Sequence, residues 1–385
     1  MKVFIAVGVH PRYRRFIDYL PEGFEYEISG NPDVNKYYSP VRTGGTWKKL
    51  FSLRFASTII TRIFGFPRMT YYRTDADLIY STRGILPLNR KPWIVELEHP
   101  YGFVGMDYRL WGRRQKAVVG HFLKSKYCKG IVVVTDAAKR VMDREFPDPK
   151  IKNKVHVIYT TVPYTAIKRK KHKGITLLMI ANADIYGRGF RFLQSVYPEL
   201  KRKYNINWIL KTNQPFLEKD RNFVRTYGVK VIWGNFNEEQ LNKLFGEADI
   251  FINLSFVDTN SNIMYEAMRA GLPIIAQDTF SGKEKIKNGY NGFVIPLPRL
   301  FWNKENMRIT RKVDFSQYYN KEVSSILLDR IERLIKNKKL REQMGRRNKM
   351  LIKNGRFSMR KRIHDLETLF RSVINKSSKT KYDFK

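Results

Sequence analysis

Two carboxylates eight residues apart, Asp258 and Glu266, flank a run of residues that favour helix starts. Residues 259–262 are Thr, Asn, Ser and Asn, all good N-cap types. The pattern from 263 to 270 predicts a helix, and Gly271 is the expected stop. A helix start offers free backbone N–H groups and a positive dipole end, which suit phosphate. The sequence leaves two interpretations open, an anion-binding helix start or a capped packing helix with a surface glutamate.

A second group of candidate residues follows the apolar run 175–181, which predicts a buried strand. Gly187, Arg188 and Gly189 then open a helical pattern that extends from 190 to 200. Glycines allow the backbone to approach an anion closely, and Arg188 is able to bind phosphate with its forked guanidinium. The spacing matches neither a dinucleotide fingerprint nor a phosphate-binding loop.

Short apolar runs alternate with helical patterns along both halves of the chain, which predicts doubly wound parallel sheets. In the first half the predicted strands are 3–9, 78–80, 93–97, 131–135 and 155–159. In the second half they are 175–181, 207–211, 229–233, 249–254, 273–276 and 293–295. Loops at the carboxyl ends of parallel strands line the ligand crevice of such sheets. Polar residues at these ends are therefore the best candidates for binding.

Two histidines and an aspartate pair can be judged by the same rule. Glu98 and His99 follow a predicted strand, directly before a Pro/Gly turn, so we interpret them as candidate cleft residues. His10 follows the first strand, but an isolated histidine there is more typical of an ordinary loop. Asp75 and Asp77 have the spacing of metal-binding aspartates, yet they precede a strand. We therefore expect no metal site at that pair.

The formal net charge of +38 over 385 residues predicts an anionic partner. Nucleic acid, anionic lipid and phosphorylated substrates all meet this requirement. The single cysteine, Cys128, cannot form an intramolecular disulfide, which favours a reducing compartment. Met1 and Lys2 lead directly into an apolar strand pattern, and there is no long apolar run. We therefore expect a cytoplasmic protein without a signal peptide or a transmembrane helix.

Two basic segments with aromatic residues lie in the first half, at 46–70 and 107–129. The first contains Lys48, Lys49 and Arg54 and has no acidic residue. A cationic helix with aromatic side chains is typical of helices that lie in a membrane interface. A core helix of the first domain is the alternative. The interface interpretation predicts peripheral contact with the inner face of an anionic membrane.

A further basic run, 164–173, carries charge without periodicity and separates the two strand–helix series. We interpret residues 166–174 as an interdomain linker, with a nucleic-acid patch as the alternative. The resulting segments are a first domain at 1–165, a second domain at 175–355, a helix at 356–374 and a disordered tail at 375–385.

The second half resembles the retaining glycosyltransferases of family 4 (glycosyl transferases group 1). The strongest likeness is DTNSNIMYEAMRAGLPIIA at 258–276, which is similar to the E-x7-E pattern of that family. Residues 238–255, 285–296 and 357–370 are also similar to family segments, and the likeness covers about 175–370. It implies the GT-B fold, with two Rossmann-like domains facing across a cleft and a closing helix that crosses back to the first domain.

The resemblance also implies a reaction. The donor would be a nucleotide-diphosphate sugar, most simply a UDP- or GDP-sugar, bound by the second domain, and the acceptor would be bound by the first. Glu266 matches the glutamate that accepts hydrogen bonds from ribose, and Asp258 stands where a glutamate contacts the transferred sugar. Arg188 and Gly189 align with the Lys-Gly pair that neutralises the diphosphate. We expect a hexosyltransferase that retains anomeric configuration, with no cofactor and no obligatory metal.

Further site residues follow from the same alignment. His99 resembles the first-domain histidine that faces the sugar, and Glu284 resembles the glutamate of the GG..E segment. The helix start that would receive the donor comprises Asn260, Ser261 and Asn262. The chain departs from the family at Asp258, which is Asp rather than Glu. It also departs near Asn182, where the first phosphate-binding arginine is missing and Lys211 could substitute.

A basic first domain predicts a lipid-linked, polysaccharide or other glycan acceptor near an anionic membrane surface. Two other functions remain open. One is a sugar-nucleotide 2-epimerase of the same fold, which needs no acceptor. The other is a non-enzymatic nucleic-acid-binding protein, suggested by the charge of +38. The sequence contains no recognisable nucleic-acid-binding motif, so we do not expect a nucleic-acid partner.

Overall fold

The computed structural model describes residues 1–7, 17–29, 64–182, 184–256, 258–297 and 314–382. The chain forms two compact units. The first unit comprises Met1–Thr160 and Arg360–Lys385, and the second comprises Thr161–Met359. The final helix therefore belongs with the amino-terminal part of the chain.

The described part of the first unit contains eight strands, and six of them form one parallel sheet. The strands are β1 Lys2–Ala6, β2 Glu25–Ile28, β3 Met69–Thr70, β4 Leu78–Ser81, β5 Leu86–Pro87, β6 Trp93–Leu97, β7 Cys128–Val133 and β8 Val155–Val157. The sheet order is β2-β1-β4-β6-β7-β8, while β3 and β5 form a separate pair. β4 and β6 are buried along their whole length because their side chains are packed on both faces of the sheet.

The helices described between residues 100 and 152 of the first unit have 3 to 12 residues. Two 3-10 helices, at Pro100–Val104 and Tyr108–Leu110, precede α1 Arg113–Lys124, α2 Asp136–Glu145 and α3 Pro149–Lys152. Most of them begin after a residue whose side chain caps the helix. Thr135, for example, accepts a hydrogen bond from the backbone N–H of Ala138 at 3.0 Å and so starts α2.

The second unit is built on another six-stranded parallel sheet. Its strands are β9 Ile175–Ala181, β10 Ile206–Thr212, β11 Lys230–Ile232, β12 Ile250–Asn253, β13 Ile274–Gln277 and β14 Gly292–Ile295. Its helices are α4 Phe190–Lys203, α5 Glu218–Thr226, α6 Glu238–Gly246, α7 Asn262–Arg269, α8 Gly282–Lys285, α9 Lys321–Lys336 and α10 Lys338–Lys353. The order β11-β10-β9-β12-β13-β14 places β9 and β12 side by side in the middle.

The predicted fold class, α/β with doubly wound parallel sheets in two domains, is confirmed. The alternation of apolar runs and helical patterns sufficed for this, since the core of each unit consists of those runs. Strand ends differ from the predicted ends by a few residues. The strand predicted at 131–135 begins earlier, at Cys128, because residues 128–130 continue the pairing with β6.

The basic run at 164–173 is fixed to the second unit. Lys170 donates its backbone N–H to the carbonyl of Gly246 at 3.0 Å, and its ammonium lies 2.6 Å from Glu247. Arg169 and Asp249 form another ion pair, at 3.1 Å. The boundary between the units therefore lies at 160/161, before the basic run. The segment predicted as a linker, 166–174, belongs to the second unit and is held there by these contacts.

The last helix, α11 Met359–Tyr382, packs on the first unit. Its apolar residues Leu366, Leu369 and Phe370 belong to the same buried cluster as β1 and β4. The helix continues through most of 375–385, the segment for which the sequence predicts a disordered tail. The physical reason is local, because this segment has no proline or glycine before Tyr382.

Candidate functional site

The carboxyl edge of the second sheet carries most of the predicted site residues. All six strands are parallel, so their carboxyl ends lie on one edge. Asn182 follows β9, Lys211 lies at the end of β10, and Ser255 follows β12. Ligands of open α/β sheets bind at this edge.

Arg188 is positioned by the turn between β9 and α4. Asp184 accepts the backbone N–H of Gly187 at 2.9 Å on its side chain and that of Arg188 at 3.0 Å on its carbonyl. Gly189 then adopts φ = +85° to start α4. A Cβ at Gly189 would lie 2.4 Å from Cβ of Leu254, so the close approach of this turn to β12 requires glycine.

The Arg188 guanidinium contacts the loop after β12. Its Nη1 donates to Ser255 Oγ at 3.0 Å and to Oδ2 of Asp258. The Arg188 side chain retains 34% of its accessible surface, so it is only partly buried by these contacts. The structure thus brings together two residues, Arg188 and Asp258, that the sequence assigned to separate parts of the donor.

Asp258 holds the loop that leads into α7. Its Oδ1 accepts the backbone N–H groups of Asn260 at 3.2 Å and Ser261 at 2.7 Å. Burial raises the pKa of this carboxyl, but the charge of Arg188, the Ser261 N–H bond and the charge of Lys285 together leave the pKa below its ordinary value. Both carboxylate oxygens therefore accept hydrogen bonds from the protein. Asp258 thus holds Arg188 and the loop in position.

The start of α7 is unusual. Ser261, the N-cap residue, has φ = +30° and makes no side-chain capping bond to the helix. Its Oγ instead accepts a hydrogen bond from Asn253 Nδ2 at 2.9 Å, which anchors the turn to the end of β12. The backbone N–H groups at the start of α7 are therefore not capped by a Ser261 side chain, and the positive end of the helix dipole lies at the carboxyl edge.

Lys285, which sequence reasoning missed, lies against this loop. It is the last residue of α8, and only 2% of it is exposed. Its Nζ donates to the carbonyl of Asn260 and to Ser281 Oγ at 3.3 Å, and it lies 4.8 Å from the ring centroid of Tyr265. Burial lowers the pKa of Lys285 to about 8, against the raising effect of Asp258 and Glu284.

Glu266 is buried, contrary to the interpretation as a surface glutamate. Its exposed fraction is 3%, and Oε2 lies 2.6 Å from Nη2 of Arg269, one turn further along α7. Arg269 is fully buried and also binds Glu238 at 2.8 Å and Asn242 at 2.6 Å. Arg269 therefore fixes the orientation of the Glu266 carboxylate. The sequence did not indicate this role of Arg269.

Lys211 forms a third polar group at the same edge. It is 2% exposed, and its Nζ donates to Asn182 Oδ1 and to Asn213 Oδ1 at 3.3 Å. Burial lowers its pKa. The Lys211 ammonium therefore contacts Asn182. The glycosyltransferase family that the chain resembles has its first phosphate-binding arginine in that region.

The chain is similar to known proteins in sequence and in fold. Residues 164–299 match the family model described as glycosyl transferases group 1. HepE from Anabaena, solved with UDP and glucose, is 12% identical, with a TM-score of 0.60 over 97% of this chain and 100% of that chain. Sucrose-phosphate synthase from Thermosynechococcus elongatus is 11% identical, with a TM-score of 0.63 over 97% of this chain and 99% of that one.

The fold is that of the GT-B glycosyltransferases.

TarM from S. aureus, solved with UDP, α-GlcNAc-glycerol and Fondaparinux, also matches, at 13% identity and a TM-score of 0.54. The match covers 76% of this chain and 55% of TarM, so the chain spans about half the length of that protein. No curated protein sequence matches the chain. The family match and the GT-B neighbours together support a glycosyltransferase of group 1 type.

In the first GT-B unit, His99 lies at the carboxyl end of β6 and is 1% exposed. Its Nδ1 accepts the backbone N–H of Tyr101 at 3.1 Å and so caps the first 3-10 helix. Burial lowers the pKa of His99 to about 3. The ring is therefore neutral, with its proton on Nε2, and can donate one hydrogen bond. Glu98 beside it is half-buried.

The second basic segment, 107–129, is largely α1. Arg113, Arg114 and Lys124 of this helix are exposed. Trp111 is buried and stacks on Phe103 at a centroid distance of 6.3 Å, so it belongs to the core. The segment therefore exposes positive charges to solvent, whereas Trp111 is buried and cannot act as a membrane anchor.

Other predicted features have simpler outcomes. His10 and residues 46–63 of the first basic segment lie outside the described residues. Asp75 forms an ion pair with Lys2 at 2.5 Å, and Asp77 accepts the Lys2 backbone N–H at 2.9 Å, both at the amino edge of the first sheet. Within the described ranges no helix has the length and apolarity needed to cross a membrane, and no cluster of three metal-ligating side chains occurs.

Proposed function

We propose that this chain is a retaining glycosyltransferase of family 4. It would move a hexose from a nucleotide-diphosphate sugar to a hydroxyl of a lipid-linked, polysaccharide or other glycan acceptor. The observation that carries the proposal is the position of Arg188 beside the start of α7, at the carboxyl edge of the second sheet. The family match over 164–299 covers the same elements. HepE, which has the same fold, has been solved with UDP-glucose.

In this proposal the leaving diphosphate is stabilised by fixed positive groups. Arg188 and Lys211 supply charge, and the amino-terminal end of α7, just after Asn260 and Ser261, supplies the positive end of the helix dipole. These groups act where negative charge develops, so the reaction needs no obligatory metal. We propose no general base from the protein and assign deprotonation of the acceptor hydroxyl to the leaving phosphate.

The remaining site residues have supporting roles in the proposal. Glu266, held by Arg269, accepts hydrogen bonds from the ribose hydroxyls of the donor. Asp258 positions Arg188 and the α7 loop around the transferred sugar. Glu284, next to Lys285 in α8, is the remaining acid of the donor region. His99, neutral through burial, is the first-unit histidine that the resemblance assigns to the sugar, where its Nε2–H would donate a hydrogen bond.

We further propose that the first unit binds an anionic membrane surface through the basic segments 46–70 and 107–129, on the cytoplasmic side. Each exposed lysine or arginine near an anionic leaflet contributes about 1 kcal/mol. Binding to anionic liposomes is expected to fall steeply with salt and to weaken when Lys48, Lys49 and Arg54 are neutralised. Unchanged binding of that triple variant would contradict the interface helix.

The proposal is tested by a thermal-shift screen with UDP-, GDP- and ADP-sugars. A ligand at 100 times its Kd stabilises the folded state by about 2.7 kcal/mol. We expect one nucleotide class to raise the Tm of the wild type and to raise that of Glu266→Gln less. The matched control is Glu239→Gln, whose side chain is 74% exposed on α6. The shift is compared with that of each variant without ligand, because Glu266→Gln also removes the partner of Arg269.

An absent response in the wild type would contradict nucleotide-sugar binding, and an equal response of Glu266→Gln would contradict the ribose assignment. Turnover with the identified donor then separates a transferase from a 2-epimerase, since only the transferase releases nucleoside diphosphate in proportion to a glycosylated acceptor. NMR of the product anomeric proton checks retention. Full activity in excess EDTA is expected, and loss that Mg²⁺ restores would contradict metal independence.

A further inference from the structure

A cavity of about 690 Å³ lies in the second unit, beside the candidate donor loop. Asp278, directly after β13, and Pro296, directly after β14, line it, so it opens at the carboxyl edge of the sheet. Its other walls are α8, the turn at 287–291 and the segment at 351–357. The volume lies within the range of about 300–1,000 Å³ that is usual for small-molecule sites. Glu284 is shared with the donor region proposed above, whereas the turn at 287–291 and the segment at 351–357 have no role there.

The inner wall of the cavity carries a buried positive charge. Lys285 lines it and is 2% exposed. Its hydrogen bonds go to a carbonyl and a hydroxyl, and within the described residues no carboxylate lies at salt-bridge distance from its Nζ. Burial of this ammonium is unfavourable, and the charges of Asp258 and Glu284 offset that cost only in part, since the pKa of Lys285 is still lowered. An anionic group in the cavity would relieve that cost.

The outer wall adds two more cations. Lys287 and Arg356 line the cavity and are exposed. Of the two acidic residues in the lining, Asp278 is already paired with Lys283 at 2.5 Å. The balance of the lining is therefore positive, so the cavity favours a negatively charged ligand over a neutral one.

Aromatic rings complete the walls. Tyr290 is 44% exposed, and Phe357 is buried and packs on Tyr265 at a centroid distance of 5.3 Å. Arg347 stacks on the Tyr290 ring at 4.2 Å and donates to the Tyr290 carbonyl at 2.7 Å, which fixes the orientation of the turn. A rigid ring next to cationic groups suits a compact polar ligand that has both an apolar face and a charge.

We propose that this cavity is a second ligand site that binds an acidic sugar, one that carries a phosphate or a carboxylate group. The acid contacts Lys285, Lys287 and Arg356, and the sugar ring packs against Tyr290. If the proposed function holds, the acidic sugar is part of the acceptor; the binding itself does not depend on that function. Because Lys285 also holds the carbonyl of Asn260, the bound acid lies directly beside the start of α7.

Isothermal titration of the full chain with glucose 6-phosphate, glucuronate, glucose and inorganic phosphate tests the proposal. We expect saturable binding of glucose 6-phosphate or glucuronate, at least tenfold weaker binding of glucose and of inorganic phosphate, and no displacement by saturating UDP. The two acidic probes distinguish a phosphate from a carboxylate as the recognised group. Comparable binding of inorganic phosphate would overturn sugar recognition, and displacement by UDP would assign the ligand to the donor site.

The test variant is Lys287→Gln with Arg356→Gln, which changes exposed residues and leaves Lys285 in place. We expect it to weaken binding of the acidic sugar at least tenfold. The matched control is Arg221→Gln with Lys339→Gln, which removes the same charge from exposed positions that do not line the cavity. Equal binding by the two double variants would overturn the site. The UDP thermal shift is measured in parallel, so failure of this site and failure of the proposed function are distinguishable.

Discussion

The buried cations of this protein fall into two groups. Arg362 of the first unit and Arg269 of the second lie in ion pairs with buried carboxylates, whereas Lys211 and Lys285 of the second unit form no ion pair within the described residues. In the first unit, Arg362 of α11 donates to Glu96 of β6 at 2.6 Å, and the Tyr80 hydroxyl donates to the same carboxylate at 2.6 Å. This buried ion pair joins the last helix to the sheet. In the second unit, Lys211 and Lys285 are equally buried, yet their described hydrogen-bond partners are uncharged oxygens.

The kind of partner that a buried cation has indicates where a ligand would stabilise the protein. A buried cation with a carboxylate partner is complete within the protein, whereas a buried cation with neutral partners is stabilised most by an anion from outside. Both unmatched ammonium groups lie at the carboxyl edge of the second sheet, where the donor diphosphate is proposed to bind. The matched pair lies within the core of the first unit.

The largest expected effect comes from breaking the matched pair. Arg362→Met leaves Glu96 buried without its cation and is expected to lower the free energy of unfolding of the first unit by about 3–5 kcal/mol. Urea denaturation, with hydrogen exchange of the β6 amides to localise the loss, measures it. Combining it with Glu96→Gln should recover part of the loss, and Arg360→Met is the exposed control on the same helix. A loss below about 1 kcal/mol would contradict the comparison.

Removing the charge of Lys285, which has no ion-pair partner among the described residues, should raise the free energy of unfolding rather than lower it. The pKa of Lys285 falls from 10.5 to about 8 on folding, so the free energy of unfolding should rise as pH increases from 8 to 10.5. The expected rise is about 3 kcal/mol. Lys285→Met should be more stable than the wild type at pH 7 and should lack this part of the rise. The difference between their pH profiles is the measurement, with exposed Lys339→Met as control; identical profiles would show that folding does not lower the pKa of Lys285.

A smaller effect is expected on donor affinity. Lys211→Met should weaken UDP binding about 10–100-fold, equivalent to about 1.4–2.8 kcal/mol, without destabilising the fold. Isothermal titration gives the Kd of each variant. Lys230→Met serves as the control because Lys230 is a lysine of the neighbouring strand β11 whose side chain is 60% exposed. If both variants bind UDP as the wild type does, Lys211 does not replace the missing arginine.

The smallest change is expected in the NMR resonances of His99. Its pKa of about 3 means that the ring stays neutral between pH 8 and 5, so its NMR resonances should not move over that range while free imidazole in the same sample does. Since the unfolded value is 6.5, the contribution of His99 to stability should be lost as pH falls below 6.5 toward 3. A resonance that titrates near neutral pH would mean that the ring is not buried as described.

Much of this architecture was accessible from the chain alone. The run WIVEL at 93–97 predicts β6 whatever the role of Glu96, because four of its five residues are apolar and need burial. The turn at 187–189 likewise predicts a tight helix start, since Gly189 is required at positive φ. Arg188 was predicted as a site residue from this glycine turn, and Asp258 from the resemblance of 258–276 to the E-x7-E pattern. Their hydrogen bond was not, because it joins two loops 70 residues apart.

The sequence by itself determined the alternation of strands and helices, the glycine turn before α4 and the helix start at 260–262, because each depends on nearest neighbours and on apolar periodicity. Only the tertiary structure decided which charges are matched. The partner of Glu96 lies 266 residues away, and nothing near Lys285 in the chain indicates that its ammonium is buried against Asn260. Burial and pairing depend on how distant elements pack, and local patterns carry no information about that packing.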